Sequence, residues 1–491
     1  MKVSLFCSTL VGAAASAGLQ LSSRIEEATE FALTYGYPLM PFAKFAIPAI
    51  EKANGTNRFM HKRQLSTSAF KDVVRPNVDT LYSMVIIDLT HHDLLVDIPV
   101  INDRYWVFPF YDAYGNNYVN LGNVHNTTSG KYLVSFKADS KPGVQLCSEL
   151  EKETNMQWCE CYGIEGIVNA PTPYGILLPR YAVKGTEGDL EEIHALQNKS
   201  SIQPIVKKSH SEYRATALTI ALLNSSIPLD PATQIMHLTS RIAPSNPPRN
   251  ISDLHRVTRM LQIAGINFHK GSYEPPTGQN LTRSYAASLA NMAKVAKQSA
   301  NQIALGHGWV QTASRVQGDY GENYLMRQFI AYRGYLALTT TEALYPSYSS
   351  GKGGTSMHLG PKEAYIFQFP NKPELAEFGF WSLTAYNAEQ FLVDNPLNRY
   401  ALSDRSNLTY ADGSPVYGGS DGNDEGENEA FEILVQPADL EPPKNWTSNW
   451  LPIPKGGGDF SLTLRFYAPS EGLRGGEWPY PVVQKRSAVV A

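Results

Sequence analysis

Residues 75–89 read RPNVDTLYSMVIIDL, a polar segment that leads directly into an apolar run. Leu81–Leu89 is almost continuously apolar, which is typical of a strand buried on both faces of a sheet. Tyr105–Tyr111 and Gly175–Val183 have the same character, and turn residues separate the three runs. This part of the chain therefore predicts a β-rich domain.

The polar segment before the first strand holds four functional groups, the side chains of Arg75, Asn77, Asp79 and Tyr82. Polar groups beside a buried strand must bind one another or a ligand. In the first case, Asp79 caps a turn and pairs with Arg75. In the second, Asp79 acts as a catalytic acid or base, and Tyr82 donates a proton or stabilises an oxyanion. Arg75 and Asn77 would then bind the substrate.

A second polar group follows the strand that ends near Tyr111, in the sequence FYDAYGNN of residues 110–117. Asp112 either caps a turn and pairs with Arg104, or supplies a second acid or base. Asn117 is a further candidate substrate-binding residue. Both interpretations stay open from the sequence.

The N-terminus and the middle of the chain are predicted to be helical. Ser23-x-x-Glu26 is a capping box that opens a helix, and Gly36-Tyr37-Pro38 ends it. Residues 186–345 contain segments of helical periodicity or high alanine content: Asp189–Gln197, Ser252–Ala264, Leu281–Ile303 and Tyr324–Tyr345.

The C-terminal part returns to β-structure, with strand-like runs at Ala364–Phe369 and Trp381–Tyr386. Residues 460–467 alternate apolar side chains with polar ones, which predicts one buried and one polar face. The polar set is Ser461, Thr463, Arg465 and Tyr467.

Motifs in the N-terminal half resemble the domain of unknown function 1254. They are Arg75-Pro-Asn-Val-Asp-Thr-Leu-Tyr-Ser83, Asp88-Leu89, Ile98-Pro99, Arg104-Tyr105, Leu178-Pro-Arg180 and Asp189-Leu190. Motifs in the C-terminal half resemble its companion, the domain of unknown function 1214. They are Phe380-Trp-Ser-Leu-Thr384, Tyr386, Asp394-Asn-Pro396, Tyr400, Asp412-Gly-Ser414, Asn449-Trp-Leu-Pro452, Leu464-Arg-Phe-Tyr467 and Trp478-Pro479.

The resemblance covers nearly all of the chain after its N-terminal segment, and the motifs occur in the right order. It implies an α+β fold with two β-rich domains, the second a jelly-roll-like β-sandwich, joined by helices. It implies no catalytic role for any residue. We expect a signal peptide at 1–17, an N-terminal domain at 18–200, a helical connecting region at 201–345 and a C-terminal domain at 346–491.

The first residues predict secretion. Met1-Lys2 is a short basic start, Val3–Val11 is mostly apolar, and Ala15-Ser16-Ala17 fits a signal-peptidase site. The apolar run is too short to span a bilayer, and no later segment is apolar for long enough. We therefore expect an exported chain that begins near Gly18.

Glycosylation sequons and cysteines agree with an oxidising, extracellular compartment. Three cysteines remain after the signal peptide, and we expect a disulfide between Cys147 and either Cys159 or Cys161. Eight asparagines lie in N-x-[ST] sequons: Asn54, Asn126, Asn198, Asn224, Asn250, Asn280, Asn407 and Asn445.

Composition and motifs exclude several classes of function. The chain has 42 basic and 46 acidic residues without a long basic run, which argues against nucleic acid as a partner. No nucleophile elbow, zinc-protease motif, P-loop or dinucleotide-binding loop occurs. The acidic segment 421–432 has most of the oxygen spacing of a calcium loop, but we interpret it as a solvated loop. We expect no cofactor and no metal.

Two functional classes remain. The first is a secreted enzyme that acts on a small organic molecule by acid–base chemistry through Asp79, Tyr82 and Asp112. The second is a non-catalytic protein that binds a carbohydrate or an apolar metabolite on aromatic side chains such as Trp381 and Tyr386. The sequence does not set the oligomeric state.

We predict that expression in a secreting eukaryotic host yields a glycosylated chain whose N-terminus lies near Gly18, because the signal and the sequons agree. Intact mass before and after glycosidase treatment, with N-terminal sequencing, measures this. An unglycosylated chain that retains Met1 would contradict the prediction.

Overall fold

The computed structural model describes residues 20, 22–71, 75–137, 140–149, 163–207, 215–224, 227–349, 356–418 and 429–491. Three predicted features lie outside the described residues: the signal peptide, both cysteines of the 159–161 pair, and most of the acidic loop. Within the described residues, no helix has the length and the apolar character needed to cross a bilayer.

The described residues of the N-terminal part form helices and strands. The helices are α1 (22–36), α2 (Leu39–Ala53) and α3 (Asp189–Lys199). The strands are β1 (Met60–His61), β2 (Thr80–Asp88), β3 (His92–Ile98), β4 (Trp106–Asp112), β5 (Asn117–Gly122), β6 (Gly130–Phe136), β7 (Gly143–Leu146), β8 (Gly166–Ala170), β9 (Tyr174–Leu177), β10 (Arg180–Ala182) and β11 (Ser201–Val206).

Two sheets form the first domain. One has the order β1-β2-β10-β4-β5, with β9 paired to β2 and β4, and the other has the order β11-β3-β6-β8-β7. Along β2, Leu81 and Val85 face the core between the sheets, whereas Met84 and Ile86 face the helices on the other side. The prediction of a strand buried on both faces is confirmed, because nearly every β2 side chain is buried.

The middle part is mainly helical, but it also contains short strands. Its elements are α4 (Ile220–Asn224), α5 (Pro231–Ile242), α6 (Leu254–Ile263), β12 (Ile266–Asn267), β13 (Ser272–Tyr273), α7 (Leu281–Ala296), β14 (Gln302–Ala304), β15 (Trp309–Thr312) and α8 (Tyr324–Gly334).

Two predicted helices are shorter than expected. Helix α7 ends at Ala296, because Ile303 pairs with Gln311 in a strand ladder. Helix α8 ends at Gly334 rather than Tyr345, and the Leu336 carbonyl that follows accepts hydrogen bonds from two side chains of the first domain. In both places, tertiary contacts override the local helical propensity.

The C-terminal part is a sandwich of two sheets. The strands are β16 (Ala343–Leu344), β17 (Ser347–Tyr348), β18 (Ser356–Leu359), β19 (Glu363–Phe369), β20 (Leu375–Asn387), β21 (Ala401–Ser403), β22 (Phe431–Pro437), β23 (Trp450–Ile453), β24 (Gly458–Pro469) and β25 (Val482–Ser487), with helix α9 (Glu471–Gly475) before β25. One sheet has the order β16-β24-β20-β21 with β18 on β24, and the other the order β23-β22-β19-β25, whereas β17 pairs with β15 of the middle part. Their facing side chains share one apolar core, so the α+β fold with two β-rich parts and a helical region between them is confirmed.

The polar face of β24 is not exposed to solvent. Leu464 and Phe466 lie in the sandwich core, as the alternation predicts. Arg465 and Tyr467 on the opposite face are also buried, because the first domain and its helices cover that face. Tyr467 and Phe380 belong to the apolar cluster that the helices form with the first sheet. The two domains are therefore joined through a buried face that carries polar groups.

Candidate functional site

The polar segment before β2 lies against the polar face of β20 and β24. Asn77 Nδ2 donates a hydrogen bond to the Tyr467 hydroxyl at 2.5 Å. The Tyr386 hydroxyl donates to the Pro76 carbonyl at 3.0 Å. Residues at the entrance of the first long strand thus meet residues of the second domain that lie more than three hundred positions away in the chain.

Asp79 is a structural ion-pair partner of the second domain. Its side chain is 3% exposed, and its Oδ1 accepts a hydrogen bond from Arg405 Nη2 at 2.9 Å. Its Oδ2 accepts from the Ser382 hydroxyl at 2.6 Å. The expected pairing with Arg75 is therefore wrong, because Arg405 holds the carboxylate and also lies over the Phe380 ring at 4.3 Å.

Asp404 is a carboxylate beside this pair that sequence reasoning missed. Its Oδ1 lies 3.6 Å from Arg405 Nε and accepts a hydrogen bond from the Trp381 backbone N–H. Burial, and to a smaller extent the charge of Asp79, raise the pKa of Asp404 to about 6. No local sequence signal marks this residue, since its environment is created by the two domains together.

Asp112 caps a turn, as one of the two interpretations proposed. Its carboxylate accepts hydrogen bonds from the backbone N–H groups of Tyr114 and Asn116 and from Asn116 Nδ2 at 2.7 to 3.0 Å. Burial raises the pKa of Asp112. The expected partner Arg104 instead forms an ion pair with Asp189 at 2.5 Å.

Asn117 is engaged in the fold as well. Its Nδ2 donates to the carbonyls of Phe110 and Val119 and to Asn120 Oδ1. Its Oδ1 accepts from the Thr339 backbone N–H at 3.2 Å. The side chain therefore holds the start of β5 against the segment before the second domain.

The predicted aromatic surface does not form. The Trp381 ring is fully buried in the core of the second domain, and its Nε1 donates to the Tyr417 hydroxyl at 2.8 Å. Tyr386 is also fully buried. A shallow platform made of these two side chains is therefore excluded, because both are enclosed by the sandwich and the domain interface.

Arg180 is the centre of a group of tyrosines. The residue is 5% exposed, and its Nη2 donates hydrogen bonds to the Tyr111 hydroxyl and the Leu336 carbonyl, each at 3.0 Å. Its Nε is buried without a hydrogen-bond partner among the described residues. The Tyr82 ring lies 5.4 Å from the guanidinium carbon, close enough for a cation–π contact.

Arg465 on β24 extends this group. It is 6% exposed and donates to the Thr384 hydroxyl at 2.9 Å and the Tyr386 hydroxyl at 2.7 Å. Tyr345 lies within the electrostatic range of both Arg180 and Arg465. The two guanidinium groups therefore lie close enough to act on the same tyrosine.

Arg75 lies at the edge of the region. Its Nε donates to Gln390 Oε1 at 2.7 Å, and its backbone N–H donates to the Gln390 carbonyl at 2.8 Å. Burial lowers the pKa of Arg75 to about 10, and the charges of Arg333 and Arg465 act in the same direction. Arg333 and Arg465 therefore add positive charge in the surroundings of Arg75.

We call this region the arginine–tyrosine cluster and define it as Arg75, Asn77, Tyr82, Tyr111, Arg180, Tyr345, Tyr386, Arg465 and Tyr467. Its floor is buried, whereas four members at its edge keep partial contact with solvent: Arg75, Asn77, Tyr82 and Tyr345. Within the described residues, the Tyr82 hydroxyl takes part in no hydrogen bond. Of the residues predicted from the sequence, the cluster therefore contains Arg75, Asn77, Tyr82 and Tyr386.

A serine–histidine pair was also missed. His61 Nδ1 lies 2.7 Å from the Ser83 hydroxyl, which is a distance typical of an activated nucleophile. Ser83 is 0% exposed, so its hydroxyl cannot reach a substrate. Burial and the nearby charge of Arg63 lower the pKa of His61 to about 4. The pair therefore stabilises the β1–β2 ladder with a neutral imidazole.

A surface cavity of about 320 Å³ lies away from these groups. It is lined by Arg24, Glu27, His255, Arg256, Arg259, Met260 and Ile263. None of the predicted site residues lines it, and Asp253 already binds Arg256 at 2.6 Å. No three His, Cys, Asp or Glu side chains within the described ranges are close enough to share a metal ion.

All eight sequon asparagines are exposed, although other asparagines such as Asn57, Asn246 and Asn449 are buried. The sequons are therefore accessible to a glycosyltransferase in the folded chain. Cys147 is buried, and its two candidate partners lie outside the described residues, so the disulfide stays a prediction.

Two family matches cover the two β-rich parts. Residues 56–204 match the family described as "Protein of unknown function (DUF1254)", and residues 342–471 match "Protein of unknown function (DUF1214)". No match was found among curated proteins.

A solved structure shares the fold at low sequence identity. The chain is similar to the VPA0106 protein from Vibrio parahaemolyticus, with 17% identity, a TM-score of 0.57, and coverage of 94% of this chain and 99% of that one. A putative uncharacterized protein from Burkholderia cenocepacia matches with 12% identity and a TM-score of 0.42 over 96% of each chain.

We predict that Asp79→Asn lowers the free energy of unfolding by about 1.5–3 kcal/mol, because it removes the charge of a buried carboxylate that binds Arg405 and Ser382, although Asp404 stays 3.6 Å from Arg405. The control Asp459→Asn removes a carboxylate that is 65% exposed and should cost less than about 1 kcal/mol. Denaturant unfolding of both variants measures this. An Asp79→Asn variant as stable as the wild type would contradict the structural role.

His61 should make the fold less stable in acid. Its pKa is about 4 when folded, below the ordinary value of 6.5, so the unfolded chain binds the proton first. This stability is present above pH 6.5 and is lost as the pH falls from 6.5 towards 4. In His61→Gln, the melting temperature should therefore depend less on pH in that window. The control His91→Gln changes an exposed histidine and should keep the pH dependence of the wild type. Parallel curves for wild type and His61→Gln would refute the assignment.

Proposed function

We propose that this chain, which combines a DUF1254 domain with a DUF1214 domain, is a secreted glycoprotein that binds a small organic molecule at the arginine–tyrosine cluster. The observation that carries the proposal is the composition of the cluster. It is built from both domains, its floor is polar and buried, and its edge is partly exposed. Ligand sites commonly lie at domain junctions, where aromatic walls surround a few polar groups.

The size of the exposed edge argues for a small ligand. Only Arg75, Asn77, Tyr82 and Tyr345 of the cluster keep partial solvent contact, whereas the arginines beneath them are buried. A polymer would need a long exposed groove, and the aromatic side chains expected to line one, Trp381 and Tyr386, are buried instead. The cluster therefore suits a molecule that enters between the domains.

Proton transfer at Tyr82 is the second candidate function. The two carboxylates expected to act as acid and base, Asp79 and Asp112, are occupied by hydrogen-bond partners. Tyr82 differs from them, since its hydroxyl has no such partner among the described residues and its ring lies over Arg180. A phenol in this position can donate a proton to a bound substrate.

Export and glycosylation are part of the same proposal. The N-terminal signal pattern and the sequons support them. The exposure of every sequon asparagine adds to this support, because a buried sequon is not modified in a folded chain.

We predict that an untargeted comparison of metabolite mixtures incubated with and without the protein reveals a compound that is bound or converted. Tyr82→Ala should weaken this binding by about tenfold or more, because it removes an aromatic wall of the cluster. Tyr332, which is 53% exposed, lies outside the cluster. The control Tyr332→Ala should therefore leave binding unchanged.

Tyr82→Phe separates the two candidate functions, because it removes only the hydroxyl. Loss of conversion with retained binding would establish the proton-transfer function. Unchanged behaviour of Tyr82→Phe, with loss in Tyr82→Ala, would establish binding alone. A metabolite profile that is identical with wild type, Tyr82→Ala and no protein would refute the proposal.

A further inference from the structure

Three arginines of the cluster lack an anionic partner. Within the described residues, no carboxylate lies at ion-pair distance from Arg75, Arg180 or Arg465. Two of these residues are almost completely buried. A buried guanidinium is costly unless a charge and hydrogen bonds compensate it, so this arrangement requires an explanation.

The groups that contact these arginines are all neutral. Arg180 donates to a phenol and a carbonyl, Arg465 donates to two hydroxyl groups, and Arg75 donates to an amide. Arg180 Nε has no partner at all among the described residues and is buried. The cluster therefore retains a buried donor that a ligand acceptor can satisfy.

Two carboxylates, Asp79 and Glu342, lie near the cluster without pairing with its arginines. Asp79 is held by Arg405. Glu342 accepts a hydrogen bond from the Tyr105 hydroxyl at 2.6 Å and lies 3.2 Å from His125 Nε2. Neither is at ion-pair distance from Arg75, Arg180 or Arg465, so these three guanidinium groups have no direct counter-ion among the described residues.

Nearby positive charges act against the charge of Arg75. The pKa of Arg75 is lowered to about 10 by burial, and then by the nearby Arg333 and Arg465. A bound anion would offset this repulsion and the desolvation of the buried guanidinium groups together.

The surroundings select the kind of anion. A guanidinium fork matches a planar carboxylate, and phenol rings provide an apolar wall with a polar tip. Inorganic phosphate would lose more hydration in such surroundings and would leave the tyrosine walls without an apolar partner. The donors and the walls together fit an organic acid with an aromatic or aliphatic body.

We infer that the ligand of the arginine–tyrosine cluster is an organic monocarboxylate, held by the donors of Arg180 and Arg465 and packed by its apolar body against Tyr82 and Tyr345. The inference rests on the proposed binding function and specifies its ligand class. Arg75 at the edge adds attraction for the incoming anion.

Benzoate, its neutral analogue benzamide, and inorganic phosphate test the inference at constant ionic strength. Benzoate should raise the melting temperature by about 1–2 °C at a concentration about tenfold above its dissociation constant. Benzamide and phosphate should give no such shift.

Two arginine variants locate the effect. Arg75→Gln changes a residue at the solvent-exposed edge and should weaken benzoate binding, measured by calorimetry, by about tenfold. Arg283→Gln is the matched control. Its side chain on α7 is 72% exposed, and its ion-pair partner is Glu26 rather than a residue of the cluster. It should leave benzoate affinity unchanged. Arg180→Gln should abolish binding where the variant folds.

Each other outcome overturns the inference in a distinct way. If benzamide stabilises the wild type as much as benzoate does, and Tyr82→Ala loses this effect, the ligand is not an anion. The inference is then refuted, and the proposed binding function stands. Equal stabilisation by phosphate would refute the carboxylate class. Unchanged benzoate affinity in Arg75→Gln would refute the location. If no probe shifts the melting temperature, the inference is refuted, and the metabolite comparison decides independently whether the cluster binds anything.

Discussion

The structure depends on a sheet face that is polar and nevertheless buried. Strands β20 and β24 direct Ser382, Arg465 and Tyr467 towards the first domain, where water cannot satisfy them. Buried polar groups need hydrogen-bond partners, and the first domain supplies several of them through Asn77 and Asp79. The position of one domain on the other is thereby fixed by specific bonds as well as by apolar contact.

Some polar groups at this interface have a hydrogen-bond partner for every atom, whereas others do not. The groups with complete partners are structural, and those without mark the candidate site. The carboxylate of Asp79 has a partner for each oxygen, so its part of the interface is closed. Arg180 and Arg465 instead contact only neutral groups, and a buried nitrogen of Arg180 is left over. Free energy lost by burying an uncompensated charge is commonly recovered when a site is occupied. The same interface therefore both joins the domains and leaves a place for an anion.

The apolar pattern located β2, β4, β19, β20 and β24, but it did not find other long strands such as β3, β6 and β22. Leu81–Leu89 and the alternation in residues 460–467 placed β2 and β24 correctly, because a side chain's preference for the core repeats along the strand. Helix ends were less predictable. Gly334 ends α8, where the Leu336 carbonyl binds side chains of the first domain rather than an amide of its own helix.

The sequence by itself determined the class of fold and placed Arg75, Asn77 and Tyr82 at a strand entrance, because periodicity and short-range chemistry are local properties of the chain. Only the tertiary structure decided which partners these residues meet. Asp79 binds Arg405, which lies 326 positions further along the chain. Two residues that far apart form an ion pair without any recognisable spacing or periodicity in the sequence. The burial of Arg465, which makes it part of the candidate site, also has no signal in the local sequence. Both follow from the packing of one domain on the other.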